Sequence, residues 1–320
     1  MLAAGVDIGG TKIAVGVVDE TGEILAKVKR PTQPDDPASI DAAIADAVRE
    51  LSSEHEVGAV GLAAAGFVSA DRKTVTFAPN IAWRDYPLAD NVSRLLGGDL
   101  PVVVENDANA AGWAEFVYGA GREARSMALL TVGTGLGGAI VTDGTLLRGA
   151  HGFAAEIGHI RVVPDGHLCG CGHRGCWEQY ASGSALVREA RQAAVAQPER
   201  AARLLEAAHG DASTIKGPHV TQLAAEGDEL SIELLRWLGE GVGRGCAGLA
   251  SVLDPEIFIV GGGVVDAGEL LLGPAREAYE ASLPALEVRP VAPIVAAHLR
   301  NDAGIVGAAA LAREAQPAQG

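Results

Sequence analysis

The residues with the most specific chemistry are one histidine and three cysteines that lie close together in the chain: His159, Cys169, Cys171 and Cys176. One imidazole and three thiolates are typical ligands of tetrahedral zinc, and the glycines between the cysteines would let a short loop fold around the ion. Four protein ligands leave no open position, so the sequence predicts structural rather than catalytic Zn²⁺. His167 and His173 are also near, which leaves the identity of the histidine ligand open.

Two carboxylates accompany this cluster. Glu156 precedes His159 by three residues, and Glu178 follows Cys176 by two. A bound zinc ion would hold both carboxylates rigidly, and a fixed carboxylate accepts hydrogen bonds from hydroxyl groups. The cluster therefore predicts a surface that binds a polyhydroxy ligand, whereas a lone glutamate would more simply be a solvated surface group.

A second candidate site follows the apolar segment Val102–Val104. Asn106 and Asp107 come just after it and open a helical stretch. A carboxylate at the end of a strand is well placed to act as a general base. Asp and Asn also cap helices, so the sequence leaves both roles open.

A glycine-rich turn near the N-terminus has the composition of a phosphate site. Gly9 and Gly10 would let the backbone N–H groups approach an anion, Thr11 adds a hydroxyl donor and Lys12 adds a charge. Asp7, at the end of the preceding strand, would hold waters of a Mg²⁺ ion. The alternative is a tight hairpin with an exposed lysine.

A second glycine-rich turn begins with Gly133, Thr134 and Gly135. It matches the GxGxxG pattern, but a strand rather than a helix follows it, which argues against a dinucleotide fingerprint. No GxxxxGK[ST] motif occurs in the sequence, which excludes a P-loop. The remaining interpretation is a second backbone cradle for phosphate.

A third glycine run, Gly261, Gly262 and Gly263, follows the apolar segment 257–260 and precedes a helical segment. Exposed backbone at the end of a strand suits a flat ligand such as an adenine ring. A plain turn between a strand and a helix is the alternative.

Apolar periodicity gives the elements that position these residues, and it predicts an α/β protein. Strands are expected at 3–8, 13–18, 57–63, 101–104, 257–260 and on both sides of the second turn within 128–141; helices are expected at 38–53, 184–210, 229–253 and 303–315, with a frayed QPAQG tail. The strand–turn–strand unit of 128–141 resembles the N-terminal one. The similarity indicates two related domains that face a shared cleft, unless it arises by chance.

The composition of the chain excludes some classes of function. The chain has 320 residues, 48% of them apolar, and a formal net charge of −16. A field of that sign repels nucleic acid and anionic membranes, so no nucleic-acid or membrane partner is expected. A small anion held by backbone N–H groups stays compatible with this charge. The N-terminal sequence shows no signal-peptide pattern, which predicts a cytoplasmic protein.

Together these motifs resemble the ROK family of sugar kinases, and within it the branch that phosphorylates glucose with ATP. The motifs that carry the resemblance span nearly the whole chain: DIGGTK (7–12), APNIAW (78–83), ENDANAA (105–111), GTGLGG (133–138), AAEIGHI (154–160), CGCGHRGCWEQYASG (169–183) and IVGGGV (259–264). The resemblance implies an actin-like (ribonuclease H-like) two-domain sugar kinase fold with an interdomain cleft. The small α/β domain would be 1–110, completed by the C-terminal helix 303–320, and the large α/β domain with the zinc site would be 111–302.

The resemblance also implies roles for individual residues. Asp107 would accept the proton of the sugar 6-hydroxyl, and His159 would use one ring nitrogen for zinc and the other for the sugar. The implied sugar contacts are Gly66, Asn80, Asn106, Asp107, Glu156, His159 and Glu178. The implied contacts to ATP and Mg²⁺ are Asp7, Gly9, Gly10, Thr11, Lys12, Gly133, Thr134, Gly135, Gly261, Gly262 and Gly263.

Several alternatives stay open at this stage. The acceptor would be glucose, but fructose, mannose, allose or N-acetylmannosamine fits the same motifs, and polyphosphate would be an alternative donor. A non-catalytic sugar sensor is the alternative from another class. A DNA-binding repressor is disfavoured because the first strand starts within five residues of Met1. The family suggests a homodimer or homotetramer.

Overall fold

The computed structural model describes residues 1–315. Within them the chain forms two compact units. The first unit contains residues 1–124, 139–155 and the chain from residue 298 onward, and the second contains residues 125–138 and 156–297.

Runs of strands and runs of helices follow one another along the chain. The strands are β1 (Leu2–Ile8), β2 (Lys12–Val18), β3 (Ile24–Pro31), β4 (Val57–Ala64), β5 (Phe67–Val68), β6 (Val75–Phe77), β7 (Arg84–Tyr86), β8 (Val102–Asn106), β9 (Met127–Val132), β10 (Leu136–Thr142), β11 (Thr145–Leu146), β12 (Ile257–Gly261) and β13 (Ile294–Ala296). The α-helices are α1 (Pro37–Ser52), α2 (Leu88–Leu95), α3 (Asp107–Val117), α4 (Gly183–Ala196), α5 (Ala202–Ala207), α6 (Gly217–Ala225), α7 (Glu229–Leu253), α8 (Glu269–Ser282) and α9 (Ala303–Glu314).

The main sheet of the first unit has the strand order β3-β2-β1-β4-β8. β1 pairs antiparallel with β2, whereas β1, β4 and β8 are parallel. The register aligns Ile8 with Ala64 and Ala64 with Asn106. The carboxyl ends of parallel strands meet at one edge of a sheet, so the first glycine turn, Gly66 and Asp107 all follow strand ends at that edge.

Apolar side chains cover both faces of this sheet. On one face Val6 and Val15 pack with Ile44 of α1, and on the other Ala14 packs with Ile305 of α9. A strand buried on both faces needs nearly continuous apolar residues, which explains the runs that identified β1 and β2 in the sequence.

Helix α9 lies very close to its neighbours because the contacts use glycine. A Cβ atom added at Gly61 of β4 would lie 1.8 Å from the carbonyl oxygen of Ala308, and one added at Gly307 would lie 1.7 Å from the carbonyl oxygen of Ala110. Neither position has room for a side chain. The backbone of α9 therefore fixes the depth at which α3, the helix that begins at Asp107, packs on the sheet.

The second sheet has the strand order β11-β10-β9-β12-β13, and β9, β12 and β13 are parallel. Thr131 pairs with Gly261, so the second and third glycine segments leave neighbouring strands together. Gly262 has φ of +89°, and a Cβ there would lie 2.4 Å from the carbonyl oxygen of Val132. Glycine is needed here because both the dihedral angle and the close approach exclude a side chain.

Most of the predicted elements are confirmed, including the N-terminal hairpin and the C-terminal helix. The single helix predicted at 184–210 is wrong: it is divided into α4 and α5, because Gln197 leaves the helical region (φ −137°) just before Pro198, which cannot continue a helix. The QPAQG tail lies outside the described residues.

The compact units divide at other positions than the predicted residues 110 and 302. Helix α3 packs against α9 and so belongs to the first unit, as do residues 139–155 and the chain from residue 298. Sequence patterns give no sign of this, because it depends on which helix α3 contacts. Among residues 1–315, no helix is long and apolar enough to span a membrane.

Replacement of Gly307 by alanine tests the close packing of α9. Gly307→Ala is expected to lower the free energy of unfolding by about 1–3 kcal/mol, since the added methyl group overpacks a rigid backbone contact. Denaturant unfolding measures the change. Gly248→Ala, at an exposed glycine in α7 with open space around it, is the matched control and should raise stability by up to about 1 kcal/mol. Equal effects of the two variants would contradict this account of α9.

Candidate active site

The histidine and three cysteines converge in the second unit. The Sγ atoms of Cys171 and Cys176 are 3.6 Å apart, and the Sγ atom of Cys169 is 3.7 Å from Nδ1 of His159. All four ligand atoms lie within 4.8 Å of one another. Tetrahedral zinc with ordinary bond lengths needs separations of about 3.8 Å between two sulfur atoms and about 3.6 Å between sulfur and nitrogen. The donor set and its spacing therefore fit zinc.

The geometry selects His159 from the three candidate histidines. Its Nδ1 atom faces Cys169, so Nε2 is the ring nitrogen left for another partner. His167 instead packs its ring against Tyr180, with centroids 5.5 Å apart. His173 contributes its backbone, since its carbonyl oxygen accepts the N–H of Cys169 at 2.8 Å.

Backbone hydrogen bonds shape the cysteine loop. The N–H groups of Val162 and Val163 both donate to the carbonyl oxygen of Gly175, at 2.8 and 3.2 Å. Gly175 has φ of +79°, and a Cβ there would lie 1.7 Å from the carbonyl oxygen of Val163. The glycine next to Cys176 is thus required by the turn that brings the cysteines together.

Glu178 joins this loop to the second glycine turn. Its Oε1 atom lies 3.4 Å from the Sγ atom of Cys169, and its Oε2 atom accepts the N–H of Leu136 at 3.3 Å. A Cβ at Gly135 would lie 2.4 Å from Oε2. One carboxylate therefore contacts both the cysteine loop and the predicted phosphate turn, a link that the sequence did not suggest.

Glu156 lies near the same groups. Burial raises the pKa of its carboxyl group; His159 opposes the shift and the nearby Glu178 adds to it. A carboxylate that has lost part of its hydration is a strong acceptor for ligand hydroxyl groups. Glu156, His159 and Glu178 thus lie close together in the second unit, and their role toward a ligand stays a prediction.

In the first unit, Asn106 and Asp107 have different local roles. Asn106 is the N-cap of α3: its Oδ1 atom accepts the N–H of Asn109 at 3.0 Å, and its Nδ2 atom donates to the carbonyl oxygen of Gly66 at 3.1 Å. Asp107 is the first residue of the helix, and its Oδ1 atom accepts the N–H of Ala108 at 3.0 Å. Because Asn106 supplies the cap, Asp107 is not needed for it.

The first glycine turn is closed by a hydrogen bond from the N–H of Gly9 to the carbonyl oxygen of Lys12, at 3.0 Å. Gly10 lies beside Asn80, since a Cβ on Gly10 would lie 3.5 Å from the Cβ of Asn80. Burial raises the pKa of Asp7, while Lys12 lowers it. Thr11 and Lys12 are exposed.

A cavity of about 860 Å³ lies in the second unit, where the second and third glycine segments meet. The N–H of Gly183, the first residue of α4, donates to the carbonyl oxygen of Gly133 at 2.7 Å. The lining residues are Gly133, Thr134, Gly183, Ser184, Leu186, Val187, Arg188, Arg191, Gln192, Gly217, Pro218, Thr221, Gly263 and Val264. Backbone donors, an apolar wall and two arginines suit a nucleotide.

The sequence motifs indicated only the part of this cavity that the glycine segments line. Apart from Gly183, the lining residues from α4 and α6 belong to none of the sequence motifs, and only the packing of these helices brings them to the glycine segments. Of the predicted site residues, those up to Asp107 lie in the first unit and those from Gly133 onward lie in the second.

Comparisons with known proteins identify the family of the chain. The model of the ROK family matches residues 3–315. The chain is 54% identical to a glucokinase of Streptomyces coelicolor over 316 residues, which cover 99% of each chain. A crystal structure of a ROK family glucokinase from Streptomyces griseus in complex with glucose and AMPPNP is 54% identical, has a TM-score of 0.89, and matches 98% of this chain and 100% of its own. An N-acetylmannosamine kinase of Yersinia pestis is 33% identical over 310 residues, 96% of this chain and 97% of its own.

The chain therefore belongs to the ROK family, and its fold is the actin-like two-domain sugar kinase fold.

Proposed function

We propose that this protein transfers the γ-phosphoryl group of ATP to the 6-hydroxyl of glucose, which gives glucose 6-phosphate and ADP. The observation that carries the proposal is 54% identity over the full length to a curated glucokinase, together with a solved relative that binds glucose and AMPPNP. The lower identity to an N-acetylmannosamine kinase favours glucose over that acceptor.

Asp107 is the general base of the proposed reaction. Phosphoryl transfer depends mainly on positioning and on electrostatic stabilisation, so the base needs a fixed carboxylate that takes the hydroxyl proton as attack proceeds. Asp107 lies in the first turn of α3, where the helix dipole stabilises negative charge. An ionised carboxylate is the state that accepts the proton.

The sugar-binding residues are proposed from the hydrogen-bonding groups of their side chains and from the family motifs. Asn80, Asn106, Glu156, Glu178 and Nε2 of His159 offer donors and acceptors to sugar hydroxyl groups, and the backbone at Gly66 completes this set. The hydrogen bond from Asn106 to Gly66 supports the assignment of these two residues of the first unit to one surface. The carboxylates of Glu156 and Glu178 supply the strongest acceptors.

The nucleotide is proposed to occupy the 860 Å³ cavity, with adenosine beside Gly261–Gly263. Gly133, Thr134 and Gly135 provide backbone and hydroxyl donors to the phosphates, as do Gly9, Gly10, Thr11 and Lys12. Mg²⁺ would neutralise phosphate charge when bound, and the half-buried carboxylate of Asp7 is the group that would hold its waters. A cavity that joins two of the glycine segments supports this assignment.

Zinc is proposed as a structural ion held by His159, Cys169, Cys171 and Cys176. Burial raises the pKa of Cys169, so an ion that binds its thiolate must displace a proton. Zinc would also fix the ring of His159, with Nδ1 on the metal and Nε2 toward the sugar. The protein is further proposed to act in the cytoplasm as a homodimer or homotetramer.

A coupled assay of ADP release with ATP and Mg²⁺ tests the reaction across a panel of hexoses, with polyphosphate as an alternative donor. We expect selective turnover of glucose with ATP, because the identity to glucokinases extends over the whole chain. A kcat/KM for N-acetylmannosamine, fructose or mannose that exceeds the value for glucose would show that this other sugar is the acceptor. No turnover from a folded, zinc-loaded sample would instead favour a non-catalytic sugar sensor.

Asp107→Asn tests the general base. The substitution keeps the shape of the side chain but removes the proton acceptor, so kcat should fall by about 10²- to 10⁴-fold while glucose affinity changes little. Steady-state kinetics and calorimetric titration with glucose measure the two effects. Asp99→Asn, at an exposed aspartate of the same unit, is the control and should leave kcat unchanged. Near-normal turnover of Asp107→Asn would remove Asp107 from this role.

Cys171→Ser tests the metal. Serine is a poor zinc ligand, so the variant should retain less than one zinc per chain, melt at a lower temperature and bind glucose more weakly. Elemental analysis and thermal unfolding provide the measurements. Cys246→Ala, at a buried cysteine of α7 outside the cluster, should keep its metal. Full glucose affinity in a metal-free Cys171→Ser protein would contradict the proposed link between zinc and the sugar surface.

A further inference from the structure

A buried carboxylate directly precedes the proposed base. Glu105, the residue before Asn106 in β8, is only 3% exposed. Its Oε1 atom accepts the backbone N–H of Asn106 at 3.2 Å and Nδ2 of Asn109 at 3.1 Å. Glu105 therefore holds both the capping residue and the first turn of α3, which carries Asp107.

Two arginines compensate the charge of Glu105. Nε of Arg148 donates to Oε2 at 2.7 Å, and Nε of Arg72 lies 3.5 Å from the same oxygen. Arg72 also donates to the carbonyl oxygen of Leu311 at 3.3 Å, which ties it to α9. Burial of a carboxylate without a paired cation costs free energy. The loss of Arg148, the closer of the two arginines, should therefore change the position of the Glu105 side chain.

Arg148 begins a short segment, residues 148–155, that lies on the first unit. Its carbonyl oxygen accepts the N–H of Ala154 at 3.0 Å, which closes the segment into a loop. Phe153 packs edge-on against Phe67 with ring centroids 5.3 Å apart. A Cβ at Gly152 would lie 2.2 Å from the carbonyl oxygen of Val68, so the loop is pressed against β5.

This segment leads directly to a proposed sugar ligand. Ala155 has φ of +67°, an uncommon angle for a residue with a side chain, and Glu156 is the next residue. Phe67 and Val68 follow Gly66, which accepts the hydrogen bond from Asn106. The segment 148–155 is thus fixed by contacts to the same part of the first unit that carries Asn106 and Asp107.

We propose that Arg148 is a positioning residue for phosphoryl transfer: through its ion pair with Glu105 it couples segment 148–155, which directly precedes Glu156 in the chain, to the helix start that carries Asp107. Arg148 needs no contact with sugar or nucleotide for this role. The inference rests on the proposed glucose kinase activity. It assigns to the pair of Arg148 and Glu105 the placement of the general base against segment 148–155 of the same unit.

The test compares Arg148→Gln, Arg148→Lys and Glu105→Gln with the wild-type enzyme, by steady-state kinetics and thermal unfolding. Arg148→Gln should lower kcat by about 10- to 100-fold, the effect of a misplacement of about 1 Å at the reacting groups. The KM for ATP should change by less than about twofold, because the nucleotide cavity is lined by other residues. Arg148→Lys keeps the charge and should recover part of kcat. If Arg148→Gln or Glu105→Gln does not fold, the kcat of Arg148→Lys relative to the wild-type enzyme still tests the proposal.

The double variant Arg148→Gln/Glu105→Gln separates coupling from general damage. If the two residues act as a pair, its kcat should be no lower than that of the worse single variant. Arg49→Gln breaks an exposed ion pair with Asp46 in the same unit and should behave as wild type. A wild-type kcat in Arg148→Gln, no recovery by lysine, or additive losses in the double variant would each overturn the inference. A wild-type enzyme without glucose kinase activity would overturn the proposed function itself.

Discussion

The hydrogen bond from the N–H of Asn109 to the side chain of Asn106 is the interaction on which the first unit depends. It sets the residue at which β8 ends and α3 begins, and therefore places Asp107 in the first helical turn. The position of α3 is in turn fixed by α9, whose backbone touches α3 and the sheet where glycine leaves no side chain. A change at any of these contacts would move the proposed base.

In the second unit, the side chain of Glu178 links two parts of the proposed site. Glu178 contacts Cys169 of the cysteine loop with one oxygen and the N–H of Leu136 with the other. The turn that contains Gly135 also borders the nucleotide cavity through Gly133 and Thr134. The proposed zinc ligands, the carboxylate of Glu178 and the second glycine turn are thus neighbours within this unit.

Local signals predicted the parts of the structure that depend on short stretches of chain. The glycine turn after Ile8 and the cluster around Cys169 were predictable, because turns and metal loops need particular residue types at close spacing. The break after Ala196 was missed because helical periodicity outweighed the proline at residue 198. The contacts of Glu178 with Leu136 and of Arg148 with Glu105 join residues 42 and 43 positions apart, so no spacing rule indicates them. The zinc, sugar and nucleotide roles of individual residues stay predictions.

The most direct measurement is a crystal structure of the enzyme with glucose and a non-hydrolysable ATP analogue. The account predicts the glucose 6-hydroxyl within about 3.2 Å of an Asp107 carboxylate oxygen, which is the reach of a general base. The terminal phosphate of the analogue should lie on the opposite side of that hydroxyl, close to the glycine turns. A complex in which Asp107 contacts no hydroxyl of the sugar, or in which another hydroxyl faces the phosphate, would contradict it.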